Sequence, residues 1–105
     1  MTTWFISRHP GARRWVEEEG FAIDRMVDHL DPAEVLPGDR VLGTLPVHLA
    51  AAVCTRGGRY FHLSLELPPE YRGRELGAED LRRLGARLEE FRVVRAAGPA
   101  EARAP

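Results

Sequence analysis

Four short apolar runs, each closed by glycine or proline and separated by helix-like stretches, constrain this chain more than any other feature. Thr3-Trp4-Phe5-Ile6-Ser7 is β-branched and aromatic and reads as a strand. It ends at Arg8-His9-Pro10-Gly11, and a helix follows with Ala12, Trp15 and Val16 on one face and Gly20 as its C-terminal cap. A second strand is expected from about Ile23 to Leu30. Asp31 to Val35 then reads as a helical turn and Leu36 to Asp39 as a tight turn. Arg40 to Gly43 is a third strand. Thr44-Leu45-Pro46 opens a helix, with a hydroxyl near its cap, that runs from Val47 to about Arg56 and is apolar nearly all round. Tyr60 to Leu67 alternates as a fourth strand, with Phe61, Leu63, Leu65 and Leu67 on one face and Tyr60, His62, Ser64 and Glu66 on the other. The polar face reads as the wet side of a sheet edge, or as a dimer interface or ligand wall. Leu81, Leu84, Leu88 and Phe91 predict a last helix from about Ala78 to Phe91, with Val93 and Val94 extending it or forming a short strand.

Strands alternating with helices predict an α/β fold: a small Rossmann-like, mainly parallel sheet of about four strands with three flanking helices. At 105 residues the chain has room for one domain, placed at 1–95, with 96–105 as a frayed tail. In such sheets, ligands bind beyond the carboxyl ends of the strands. Two strand tips hold polar groups there. Ser7, Arg8, His9 and Gly11 sit between the first strand and its helix; Gly43, Thr44, Leu45, Pro46 and His48 sit between the third strand and its helix. Helix starts offer unpaired N–H groups to an anion, Arg8 adds a planar fork, and Ser7 and His9 donate or accept protons. Arg72 and Arg74, around Gly73, form a second arginine pair suited to a phosphate. Capping and turn chemistry is the bland alternative for Thr44, and solvation for the loop arginines.

All 15 basic residues are arginine. Chemistry that needs a Schiff-base or P-loop lysine is therefore excluded, and every side-chain cation other than histidine is a bidentate fork. The net charge of −1 argues against a duplex nucleic-acid coat. One cysteine, Cys54, excludes an internal disulfide and a cysteine-based zinc cluster, and its place in an apolar helix marks it as a small core residue. His29 beside Asp28 and Asp31 is a weak metal motif, so no metal and no cofactor are expected. No apolar run is long enough to span a bilayer, and Arg8 and His9 interrupt the early apolar stretch, so the expected compartment is the cytoplasm. Ile6-Ser7-Arg8-His9-Pro10-Gly11 echoes the Arg-His-Gly of histidine phosphatases, but Pro10 separates His9 from Gly11 and the chain is short for that class.

One ordered set of segments carries a family resemblance. Phe5 to Ala12, His29-Leu30-Asp31, Pro37-Gly38-Asp39, Gly43 to Val47, Leu49-Ala50-Ala51, His62 to Leu65 and Arg72 to Leu76 follow one another as in a small family of CRISPR-associated ancillary proteins of type III systems. The chain resembles that family over about residues 2 to 95. The resemblance implies a small Rossmann-like domain, shaped like the sensor (CARF-like) domains that bind cyclic oligoadenylates. It implies a homodimer and ring-nuclease activity, in which cyclic tetra-adenylate is bound and cut to end antiviral signalling. By chemistry the expected catalytic residues are Ser7, Arg8 and His9. The expected ligand-binding residues are Gly11, Gly43, Thr44, Leu45, Pro46, His48, Arg72 and Arg74. A non-catalytic protein that sequesters the cyclic nucleotide is the alternative.

Overall fold

Trp4, Phe5 and Ile6 are all buried, which an isolated strand with one wet face cannot achieve. The computed structural model, which describes residues 1–96, shows why: the first strand is internal to a sheet covered on both faces. The sheet has five strands: β1 (Thr3–Ile6), β2 (Arg25–Val27), β3 (Arg40–Gly43), β4 (Arg59–Ser64) and β5 (Arg87–Phe91). Their spatial order is β2-β1-β3-β4-β5, with the first four parallel and β5 antiparallel at the edge. Three helices flank it: α1 (Pro10–Glu18), α2 (Val47–Thr55) and α3 (Ala78–Arg83). The mainly parallel α/β architecture is the expected one, with a fifth strand added.

Alternation along each strand divides the core. Phe5, Leu42 and Leu63 point to the face covered by α1 and α3, where Trp15, Val16 and Leu81 meet them. Trp4, Ile6, Val41 and Tyr60 point to the other face, under α2 and the 3-10 turn Pro32–Glu34. The chain leaves β1 in one direction through α1 to β2. It then crosses back over β1 and continues from β3 through α2 to β4. The direction of winding thus reverses between β1 and β3, and in open α/β sheets a crevice forms at that point.

Several expected elements change. The final helix stops at Arg83, because Gly85 at φ +74° turns the chain back into β5. Leu84 stays in the core, and Leu88 reaches the same face from a strand opposite Leu63. The β4 strand is internal rather than an edge, and Tyr60, expected on a wet face, is 3 % exposed. The second strand is only Arg25–Val27 and the fourth ends at Ser64. The α2 helix is capped by Pro46 with no side-chain bond, so Thr44 is not its cap, and Val47 is exposed. The expected tail begins at the last described residue and otherwise lies outside the described residues. Among the described residues no helix is long and apolar enough to cross a membrane.

One close approach ties the fold to the crevice. At Gly11, in the first turn of α1, an added Cβ would stand 1.9 Å from the Leu76 carbonyl oxygen. The absence of a side chain lets the segment leading into α3 lie directly on α1. Gly11→Ala would raise helix propensity by about 1 kcal/mol in an open helix. Here overpacking reverses the sign, and a loss of about 1–3 kcal/mol is expected in thermal denaturation. An unchanged or raised Tm would show that the two backbones are not in contact.

Candidate functional site

The crevice at the reversal point is a cleft of about 530 Å³. Its floor is apolar, from Phe5, Leu63, Leu65 and Leu81, and its rim carries Ser7, Arg8, His9, Thr44, Arg74 and Glu75. Three segments distant in sequence meet here: the tips of β1 and β3, and the loop before α3. Of the expected site residues, the cleft collects Ser7, Arg8, His9, Gly43, Thr44 and Arg74.

The β1 tip is held by its own main chain and by one arginine. Ser7 N–H donates to Val27 O at 3.1 Å, which extends the β1–β2 ladder by one bond. Ser7 Oγ accepts the His9 N–H at 3.0 Å, so this hydroxyl shapes the turn. Arg13, one turn into α1, donates from Nε to Ser7 O at 2.8 Å and pairs with Asp28. The turn thus presents Arg8 and His9, both exposed, at the rim. Arg13 was not legible as a site residue, because its partner at the tip is a main-chain oxygen.

The β3 tip depends on a glycine. Gly43 has φ +152°, and a Cβ there would stand 2.6 Å from Ile6 O. A side chain would push β3 away from β1 at the mouth of the cleft. The tip continues through exposed Thr44 to buried Leu45, a core residue beneath α2. The Tyr60 hydroxyl accepts the Leu45 N–H at 2.9 Å and lies 3.1 Å from Gly43 O.

Arg74 stands on the third segment with its guanidinium 4.8 Å from the Tyr71 ring centre. Among the described residues neither Arg8 nor Arg74 has a carboxylate within ion-pair distance, although Arg13, Arg14, Arg25, Arg59, Arg82 and Arg87 all do. Glu75 is the one carboxylate on the cleft lining. The rim therefore offers two free forks to an anion above an apolar floor, a combination suited to a phosphate carrying an aromatic or aliphatic group.

The remaining expected residues lie elsewhere. Gly11 is a packing position, Leu45 is core and Pro46 caps α2. His48 is exposed on α2, and Arg72 is exposed on its loop outside the cleft lining. The weak metal motif is dispersed: Asp28 pairs with Arg13, and Asp31 accepts the Ala33 N–H at 3.0 Å. Among the described residues no three such ligands cluster. Cys54 is half-buried against the backbone of Phe91 and Val93.

These features define a small α/β domain with an anion-suited cleft at the switch point of its sheet. The chain belongs to a CRISPR-associated family: residues 4–94 match the model described as "Putative CRISPR-associated protein (Cas_VVA1548)". Comparison with curated proteins and with solved structures gave no match.

Proposed function

We propose that this CRISPR-associated protein is a ring nuclease of type III systems that binds cyclic tetra-adenylate and cuts it to end the signal. The observation that carries this reading is the convergence of Arg8 and Arg74 on one cleft without carboxylate partners. A cyclic oligonucleotide offers phosphates to the forks and purines to the apolar floor. The 2′-hydroxyl of a ribose attacks the adjacent phosphorus, and the P–O5′ bond breaks. A 2′,3′-cyclic phosphate forms and the 5′-oxygen leaves as a hydroxyl. The 2′-hydroxyl proton passes to a base, and a proton is delivered to the leaving oxygen. His9 is the group at the rim suited to that transfer. Arg8 and Arg74 stabilise the charge that builds on the phosphorane oxygens. The residues involved require no metal for these steps.

A homodimer completes the site in this reading. The ligand has two-fold symmetry, and two facing clefts would present four arginine forks to four phosphates. Cutting at two opposed phosphates gives linear di-adenylate ending in a cyclic phosphate. A sequestering protein is the second reading, favoured by one observation: Ser7 Oγ already serves the His9 N–H and is committed to the turn.

Chromatography of products after mixing with excess cyclic tri-, tetra- and hexa-adenylate separates the readings. Many turnovers of the tetra-adenylate, undiminished by excess EDTA, are expected, with one uncleavable 2′-deoxy ring bound per dimer by calorimetry and light scattering. Loss of ligand only in proportion to protein would establish sequestration. Loss of activity to EDTA with recovery on adding a divalent ion would overturn the metal-free route. One ligand per monomer at full affinity would overturn the shared site.

A further inference from the structure

We infer that Tyr60 is a positioning residue of the cleft, its hydroxyl fixing Thr44 by tying together the main chain on either side of it. The inference rests on the cleft being the site of the reaction proposed above.

Tyr60 is 3 % exposed, and its ring belongs to the core under α2. A phenylalanine would fill that space equally well. What the hydroxyl adds is local. It accepts the Leu45 N–H at 2.9 Å and stands 3.1 Å from Gly43 O, so one oxygen spans the residues before and after Thr44. Thr44 lies on the cleft lining between those two bonds. The segment cannot rest on ordinary helix capping, because α2 has no side-chain cap. Gly43 is meanwhile pressed against Ile6 O by the β1–β3 register. The hydroxyl therefore supplies the hold on this tip that capping would supply in another helix.

A third neighbour assigns the protons. His62 Nδ1 lies 2.7 Å from the same oxygen. A phenol has one proton and two lone pairs. Three neighbours are all satisfied in one arrangement. Leu45 N–H and His62 Nδ1–H enter the two lone pairs, and the phenol proton goes to Gly43 O. Burial pushes the phenol above its ordinary pKa, against the Leu45 N–H that lowers it, so the hydroxyl keeps the proton it donates. In the opposite histidine tautomer the phenol proton would turn to Nδ1 and release Gly43 O. His62 is held in place by edge-on packing with Tyr60 and Phe91, at 5.8 and 6.0 Å between ring centres.

Three measurements test this. First, ¹⁵N NMR of the unmodified protein should show His62 carrying a proton on Nδ1; a neutral ring protonated only on Nε2 would overturn the assignment without any variant. Second, Tyr60→Phe should speed hydrogen exchange at the Leu45 amide by about tenfold or more, through loss of its buried partner. Third, Tyr60→Phe should lower turnover of cyclic tetra-adenylate by about tenfold. In a Thr44→Ala background that effect should shrink to within about twofold, because the residue through which Tyr60 acts is gone. Additive effects of the two substitutions, or Leu45 exchange and turnover both unchanged in Tyr60→Phe, would overturn the positioning role. An unmodified protein that neither binds nor cuts the ring refutes the reaction instead, and the hydroxyl's hold on Thr44 is then decided by the NMR and exchange results, which need no ligand.

Discussion

Replacing Arg8 and Arg74 together with alanine is expected to weaken binding of cyclic tetra-adenylate by about a thousandfold. A charge-assisted contact between a guanidinium and a phosphate contributes roughly 1.5–3 kcal/mol, and each 1.4 kcal/mol is tenfold. Each single substitution should therefore cost about ten- to a hundredfold. Because both forks line one cleft, their losses need not add, and the double variant measures the coupling. Both side chains are exposed and without carboxylate partners among the described residues, so Tm should hold within the change typical of surface substitutions. Arg72→Ala is the internal control. It changes charge on the same loop but outside the cleft, and should alter affinity by less than about twofold at physiological salt. Calorimetry with a 2′-deoxy ring, which this route cannot cut, checks the four variants against the unmodified protein. An Arg72 effect equal to that of Arg74 would mean that net loop charge, rather than the cleft, attracts the ligand.

The parts of this site legible in the sequence are those carried by strand tips. Ser7, Arg8, His9 and Thr44 meet because the sheet reverses its winding between β1 and β3, and a βα alternation already implies that functional groups gather at strand ends. His48 was placed with them by sequence proximity. It is instead exposed on α2, outside the cleft lining, and α2 packs on the face opposite the cleft floor. Arg13 and Tyr60 were missed for a shared reason: their partners at the tips are main-chain atoms, and a bond to a carbonyl leaves no mark in residue type. The segment from Ala78 to Phe91 departs from the expected helix for a different reason. Leu81, Leu84, Leu88 and Phe91 fit a helical period, but two of the four belong to α3 and its cap and two to β5. A leucine four residues on reaches the same core face whether the chain continues as helix or turns at a glycine and returns as strand. Gly85 was the available signal, and Arg59 bound to both carboxylate oxygens of Glu90 across β4–β5 is the pairing it permits. Tyr60 stood on the side of β4 expected to be wet. The α2 helix covers that side, and β5 makes β4 an internal strand; neither can be inferred from the alternation of β4 itself.

The largest loss of stability is expected at the end of the sheet opposite the cleft, from Asp39→Ala. Asp39 is 2 % exposed, immediately before β3. Its Oδ1 accepts the Thr2 N–H at 2.9 Å, and its Oδ2 accepts the Leu36 N–H at 3.0 Å and Trp4 Nε1–H at 3.2 Å. One carboxylate thus joins the start of β1, the turn before β3 and a buried core tryptophan. Alanine would leave the buried indole N–H unpaired and free two backbone amides, at a cost of about 2–4 kcal/mol. For a domain of this size that corresponds to a fall in Tm of roughly 10–25 °C. Asp39→Asn should fall between, since an amide keeps one acceptor but turns a donor toward at least one N–H. The pH dependence supplies a second readout. Burial opposes the charged form of Asp39, but the bonds from Leu36, Thr2 and Trp4 outweigh it and hold the carboxyl below its ordinary value. A lowered pKa in the folded state stabilises the fold above the unfolded value, near pH 4, and that contribution is lost as pH falls through the folded value. The gap in stability between the unmodified protein and Asp39→Ala should therefore be full at neutral pH and narrow below about pH 4. Thermal denaturation at a series of pH values measures it. A gap that is constant with pH, or a Tm for Asp39→Ala within about 2 °C of the unmodified protein, would show that the carboxylate does not hold these three segments together.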